Sequence, residues 1–235
     1  EKDDLLCDPN KDFAPYTGKV EGNVKGELID GMLNGEWVEL FENGKIASII
    51  RYNKNKMSGN YKTFYSNGNA KEEGKVYDNK WDGLFSNYYE NGNLREKKNY
   101  NKGTLDGEYN YYYSNGEVKE DKLYVDGRLA GNCFIYYSTE KIWIKSQYKN
   151  GKLEGNREVF FEDGKLKGLG DYINGQENGN WQEFSNEGNF LYIGNYNNGN
   201  LDGRWQTFHL NGRLFSMGNF LENKKEGMWE YFDDE

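Results

Sequence analysis

Proline is almost missing, with 2 residues in 235, and cysteine is just as scarce, with only Cys7 and Cys133. Two thiols so far apart in sequence make no disulfide framework, which leaves the redox state of each open. His209 is the sole histidine. Without a second histidine or clustered cysteines, no transition-metal site of ordinary ligand type can be assembled. No stretch approaches the ~18 consecutive apolar residues of a spanning helix. Positive charge is in deficit, 30 Lys+Arg against 39 Asp+Glu for a net −9. That balance disfavours nucleic acid and anionic lipid, whose binding needs clustered Lys and Arg. Hydrophobic residues reach only 35%, yet aromatics alone make up 17%, and disordered chains are poor in aromatics. The plentiful residues are Gly (30), Asn (32), Tyr (20), Phe (13) and Trp (6): turn formers and large flat rings.

The chain opens at Glu1 with neither an initiator Met nor an apolar run. This favours export or a cell-surface location over the cytoplasm, a leader having been removed, unless the chain was trimmed. Leu5-Leu6-Cys7 looks like a fragment of a lipoprotein signal, but no apolar stretch precedes it.

Self-similarity decides the rest. Glycine recurs at Gly35, Gly59, Gly83, Gly107, Gly131, Gly155, Gly179, Gly203 and Gly227, each step 24 residues, without insertion or deletion. The chain therefore divides into an irregular segment 1–17, a degenerate half-repeat 18–34 that runs two residues out of step, eight full repeats over 35–226 and a partial repeat 227–235. With the start glycine as slot one, slot three is usually a ring (Trp37, Tyr61, Phe85, Tyr109, Trp181, Trp205, Trp229). Slot six is always bulky and apolar or aromatic, from Leu40 to Phe232, and is the expected core. A glycine turn follows, often Asn-Gly as at Asn43-Gly44 and Asn91-Gly92. This is the strongest short hairpin signal, because both residues tolerate positive φ. A second run opens on an apolar residue and closes on a ring such as Tyr52 or Phe220, before turns such as Asp126-Gly127.

Each repeat thus reads as two strands of about six or seven residues with two tight turns, since aromatic and β-branched residues favour pleated surfaces and no 3.6-residue period is sustained. One hairpin is marginal in water, so neighbours must stack. The expected fold is all-β: an elongated, twisted antiparallel meander of stacked 24-residue hairpins, roughly 80 Å long at ~4.8 Å per strand. A bulge after the start glycine is expected to shift the parity of the faces.

The start glycine, paired aromatics, Asn-Gly turn and closing Tyr-x-Asn-Gly resemble the bacterial variant of the MORN repeat over about residues 18–235. Local departures are Glu140 in place of a turn glycine, and Cys133 and Arg157 in place of the slot-three ring. The resemblance implies a repeat scaffold for protein–protein contact, with lipid contact claimed for some members and an antitoxin or immunity-type label for many. It implies no enzyme activity and no cofactor.

The residues themselves offer little chemistry. His209 lies in a strand slot and reads as a surface residue, and Cys133 fills a ring slot as a small apolar filler. Glu72-Glu73 alternate faces and read as solvated charge. Asp82, Asp106, Glu154, Asp202 and Glu226 precede start glycines, where turn chemistry explains them. No catalytic, cofactor or metal residues are expected. A partner protein is expected to meet the slot-seven stripe Tyr65, Tyr89, Tyr113 and Tyr137, because tyrosine brings contact area at low entropic cost. Net −9 favours a basic partner through steering. The alternative is a carbohydrate or choline-type surface module, in which repeated Trp and Tyr stack sugars or cage a quaternary ammonium.

Overall fold

The computed structural model describes residues 7–8 and 14–234. The Leu5-Leu6 fragment, the side chain of Cys7 and the terminal Glu235 lie outside the described residues. Among those described there is no helix. Cys7–Asp8 and Ala14–Pro15 form a small antiparallel ladder of their own, so the segment expected to be irregular holds a short strand pair.

Two bodies are distinguished, residues 1–116 and 117–235. In the N-terminal body the strands from Gly18–Val20 to Thr104–Tyr112 pair antiparallel, each with the next. The C-terminal body repeats the pattern from Val118–Val125 to Lys224–Tyr231. One strand there is broken at Glu154 into Lys152–Leu153 and Gly155–Phe160. A complete repeat contributes a launch strand of 9 residues, as Lys56–Phe64, and a return strand of 8, as Ala70–Tyr77. The launch strand exceeds the expected length because the residues just before the start glycine also join the ladder, and the return strand because it runs one residue past the closing slot.

The start glycine earns its regular place through a bulge. Ile50 pairs with Tyr61 and Tyr52 with Met57, so the launch strand carries extra residues around Gly59. Gly59 has φ +125°, a conformation that side chains with a Cβ rarely adopt.

The two turns of each repeat differ. The Asn-Gly turn is a three-residue loop. Gly44 N–H donates to Phe41 O (2.9 Å) and Phe41 N–H to Lys45 O (2.8 Å), a type I turn closed by a G1 bulge. Only the glycine has positive φ there, contrary to the expectation for both residues. The second turn does put both residues at positive φ, for example Asn150 (52°) with Gly151 (80°). That is the two-residue hairpin whose twist matches its strands.

The most buried apolar residues are Leu28 (3%), Cys133 (4%), Val76 (5%), Phe85 (7%) and Trp37 (8%). They occupy slots three and eighteen, not slot six. The slot-six residues are half-buried, and Phe232 is exposed. Slot six ends the launch strand on the face opposite slot three, and is covered only by neighbours on that face, as where Phe184 and Phe208 flank Phe190 at 4.8 and 5.7 Å.

The half-repeat is in step after all. Gly26 lies under Trp37, Leu28 takes the closing slot, and Asp30-Gly31 forms the positive-φ turn. Aligning on the return strand, rather than on Gly18, removes the two-residue offset.

Candidate interaction surface

Slot seven joins one repeat to the next. Tyr65 Oη donates to Tyr88 O (2.8 Å), Tyr89 Oη to Tyr112 O (2.7 Å) and Tyr137 Oη to Phe160 O (2.8 Å), each reaching 23 residues along the chain. Burial, then Tyr111 for Tyr89 and Glu162 for Tyr137, raises both phenols above their ordinary range, so they remain donors. His209 takes the same post, its Nε2 lying 3.1 Å from Phe232 O. Tyr113 is half-buried in the same slot of the N-terminal body. Lys71 covers the Tyr65 ring (5.9 Å) and Arg95 the Tyr89 ring (5.8 Å). The stripe expected to meet a partner therefore also ties repeats together.

The turn asparagines do likewise. Asn67 Oδ1 accepts from Asn69 N–H (2.9 Å), and its Nδ2 donates to Glu90 O (2.9 Å) in the following turn. At the other end of the hairpins, Asp82 accepts from Lys102 N–H (3.1 Å) and Glu154 from Asn174 N–H (2.8 Å). Contrary to the expectation that these acids serve turns at the start glycines, Asp82 lies within a launch strand and Glu154 at a strand break, and each holds the turn of the neighbouring repeat.

Slot three lies on slot sixteen of the preceding repeat. A Cβ added to Gly170, Gly194 or Gly218 would meet Trp181, Trp205 or Trp229 within 2.4 Å, so the indoles rest on bare backbone. Their edges meet the closing rings: Tyr172–Trp181 5.2 Å, Trp181–Tyr196 5.5 Å, Tyr196–Trp205 5.9 Å and Phe220–Trp229 5.0 Å, all steeply inclined. Where slot sixteen is Ile50 or Lys98, slot three is a tyrosine bonded to an acid. Tyr61 Oη donates to Glu72 (3.3 Å) and Tyr109 Oη to Glu96 (2.9 Å). Glu72 and Glu73 do alternate faces but are not solvated charge. Both are half-buried, and Glu73 accepts from Tyr88 and pairs with Lys62 at 2.9 Å.

Two of the departures, Glu140 and Cys133, are absorbed locally. Glu140 adopts the glycine's positive φ (62°) and its N–H still reaches Tyr137 O at 3.1 Å. Cys133 fills its slot as a buried thiol whose pKa burial pushes up.

Slot nineteen, beside the two-residue turn, escaped the reading of single repeats. Its occupants run Ile29, Asn53, Tyr77, Asn101, Val125, Lys149, Ile173, Asn197 and Leu221, apolar and polar in strict alternation. Every apolar member is exposed: Ile29 39%, Tyr77 69%, Val125 49%, Ile173 45% and Leu221 49%. The signal was available by comparing alternate repeats, a period of 48 residues.

A model of the MORN repeat variant matches residues 33–54, 81–102, 105–126 and 153–174. These four segments are MORN repeat variants, and each runs from one two-residue turn into the next. No curated protein matches the sequence. Among solved structures, the crystal structure of TcdB2-TccC3 is similar at 11% identity and TM-score 0.23 over 94% of this chain. Those of TcdB2-TccC3-Cdc42 (11%, 0.21, 94%) and TcdB2-TccC3-TEV (12%, 0.22, 92%) are similar to the same degree. This chain spans only 14 to 15% of the length of those chains. A likeness this loose says nothing of role.

Proposed function

We propose that this chain, which carries MORN repeat variants, is a non-catalytic scaffold that holds a protein partner at the exposed slot-nineteen residues of each body. The observation that carries the reading is the exposed apolar series Ile29 and Tyr77 in the N-terminal body and Val125, Ile173 and Leu221 in the C-terminal body. Solvent gives no reason for apolar side chains at every second repeat and polar ones between. A partner contacting alternate repeats, on the order of 19 Å apart along the sheet at ~4.8 Å per strand, does. Four of the five are followed by an acid (Asp30, Asp78, Asp126, Glu222), and net −9 adds steering toward a basic protein. An immunity-type role, holding a basic toxin, fits that chemistry. The stripe Tyr65, Tyr89, Tyr113 and Tyr137 is a second contact in this reading. The glycan alternative has less support, because Trp37, Trp181, Trp205 and Trp229 each rest one face on glycine backbone, which leaves no repeating row of free indoles for a polysaccharide.

Capture from native extract by the full chain tests the proposal. A Tyr77→Ser/Ile173→Ser variant is expected to lose most of the captured partner, while Asn101→Ser/Asn197→Ser retains it. Equal capture by the two variants overturns the slot-nineteen assignment.

A further inference from the structure

The sharpest break in the slot-three pattern is in the C-terminal body, at Arg157, where residues from two variable slots meet it. Slot three holds Arg157 instead of a ring, the neighbouring slot fourteen holds Gly168, and slot thirteen of the preceding return strand holds Trp143, which is 42% exposed. Arg157 pairs with Gly170 and Val159 with Gly168, which places the arginine beside the bare backbone of the next strand. Between these residues opens a cavity of about 320 Å³ whose apolar walls include Trp143, Ile144, Val159, Trp181 and Tyr192. That is the lower end of the range for small-molecule sites, room for one aromatic ring and a short polar group.

The polar lining is mostly donors. Arg157 and Lys167 bring two cations against the single carboxylate of Glu183, in a chain whose overall balance is −9. Trp181 Nε1 is buried without a hydrogen-bond partner. Such a donor is costly to bury unpaired and marks a place where an acceptor is missing. Burial, and then the charge of Glu183, pushes the Tyr192 phenol up to about 12, so it too is present as a donor. Tyr192 is held in place by stacking on Trp205 (4.9 Å, 13°). A scaffold repeat gains nothing in packing by exchanging its ring for a half-buried guanidinium; rule-breaking of this kind concentrates at functional sites.

We infer that this cleft binds an aromatic carboxylate, its ring against Trp143 and Trp181 and its carboxylate on Arg157. The same chemistry is offered by a free aromatic acid and by a phenylalanine at the C-terminus of a polypeptide, and the test separates the two. The full chain is titrated with phenylacetate, with N-acetylphenylalanine and with N-acetylphenylalanine amide, while ligand signals are followed by saturation-transfer NMR. Both acids are expected to bind and the amide to bind at least tenfold more weakly. A short peptide ending in free phenylalanine that outcompetes phenylacetate assigns the site to a protein terminus; the reverse order assigns it to a small acid. Arg157→Gln is expected to weaken binding at least tenfold, and Gly168→Val to abolish it by filling the cavity, with the far-ultraviolet dichroism of both variants unchanged. Should Gly168→Val disturb the fold, Arg157→Gln alone decides. Equal binding of acid and amide, full binding by Arg157→Gln, or no binding of any acid overturns the inference.

Discussion

In the N-terminal body, the return strands Ala70–Tyr77 and Leu94–Asn101 carry Glu72 and Glu96, each accepting from the slot-three tyrosine of an adjoining launch strand. In the C-terminal body, Leu166–Ile173, Phe190–Asn197 and Leu214–Leu221 carry Gly170, Gly194 and Gly218, each beneath a tryptophan. One slot is thus filled in two ways. A tyrosine with a hydroxyl needs a carboxylate to satisfy it, whereas an indole needs the opposing side chain removed so that it can lie flat. The first solution is polar and sensitive to pH; the second is steric and depends on one missing carbon.

The largest test of that difference is Gly194→Ala, whose Cβ would fall 1.8 Å from Trp205 Cε3. Trp205 is fixed by Tyr192, Tyr196 and Phe220 and has nowhere to move. The loss expected by chemical denaturation is about 3 kcal/mol, the upper part of the overpacking range. In a double-mutant cycle, Trp205→Ala should remove most of the penalty. Additive effects would show that the glycine serves something else.

Tyr61→Phe in the N-terminal body is expected to cost less, about 1 kcal/mol, the usual worth of one hydrogen bond. Asn67→Ala, which removes two bonds at the turn, should lie close to it, again about 1 kcal/mol. Tyr89→Phe loses its bond to Tyr112 O and keeps its ring. It should destabilise the fold slightly without weakening partner capture if ring area makes the contact.

The smallest effect is the alkaline one. Burial, and then the charge of Glu72, pushes Tyr61 up to about 12, from an ordinary value of 10.0. A phenol whose pKa is raised on folding stabilises the fold fully below about pH 10, and that stability drains away as pH climbs through about 12. Stability of the wild-type chain should therefore fall in that window, and Tyr61→Phe should flatten the fall. An unchanged slope would mean that other groups govern alkaline unfolding. At the acid end the sign reverses for Glu73. Hydrogen bonds from Tyr88 and then Lys62 hold its carboxyl below the ordinary 4.5, so its contribution is lost as pH drops below that value.

The hairpins, their period and the all-β class were legible because they rest on local chemistry. Asn and Gly at turns and alternating rings in strands act over a few residues, and repetition averages out the noise. Burial was misread at slot six because uniform bulk, from Leu40 to Phe232, looks like a core when one repeat is viewed alone. The deeper slots tolerate Cys133 and Arg157, and so looked less demanding. The slot-nineteen series was hidden for a related reason: stacking all repeats in one register blurs a pattern that takes two repeats to complete.

The 24-residue period, the positions of both turns and the strand content follow from the order of amino acids, since each is set by residues that are near neighbours along the chain. Which face is deep, where an indole can lie and where the cleft beside Arg157 opens depend on residues in adjacent repeats, such as Gly170 beneath Trp181. Those partners meet only when strands align and a start-glycine bulge resets the register. Pairing between repeats is a property of the assembled sheet, and only the tertiary structure decides it.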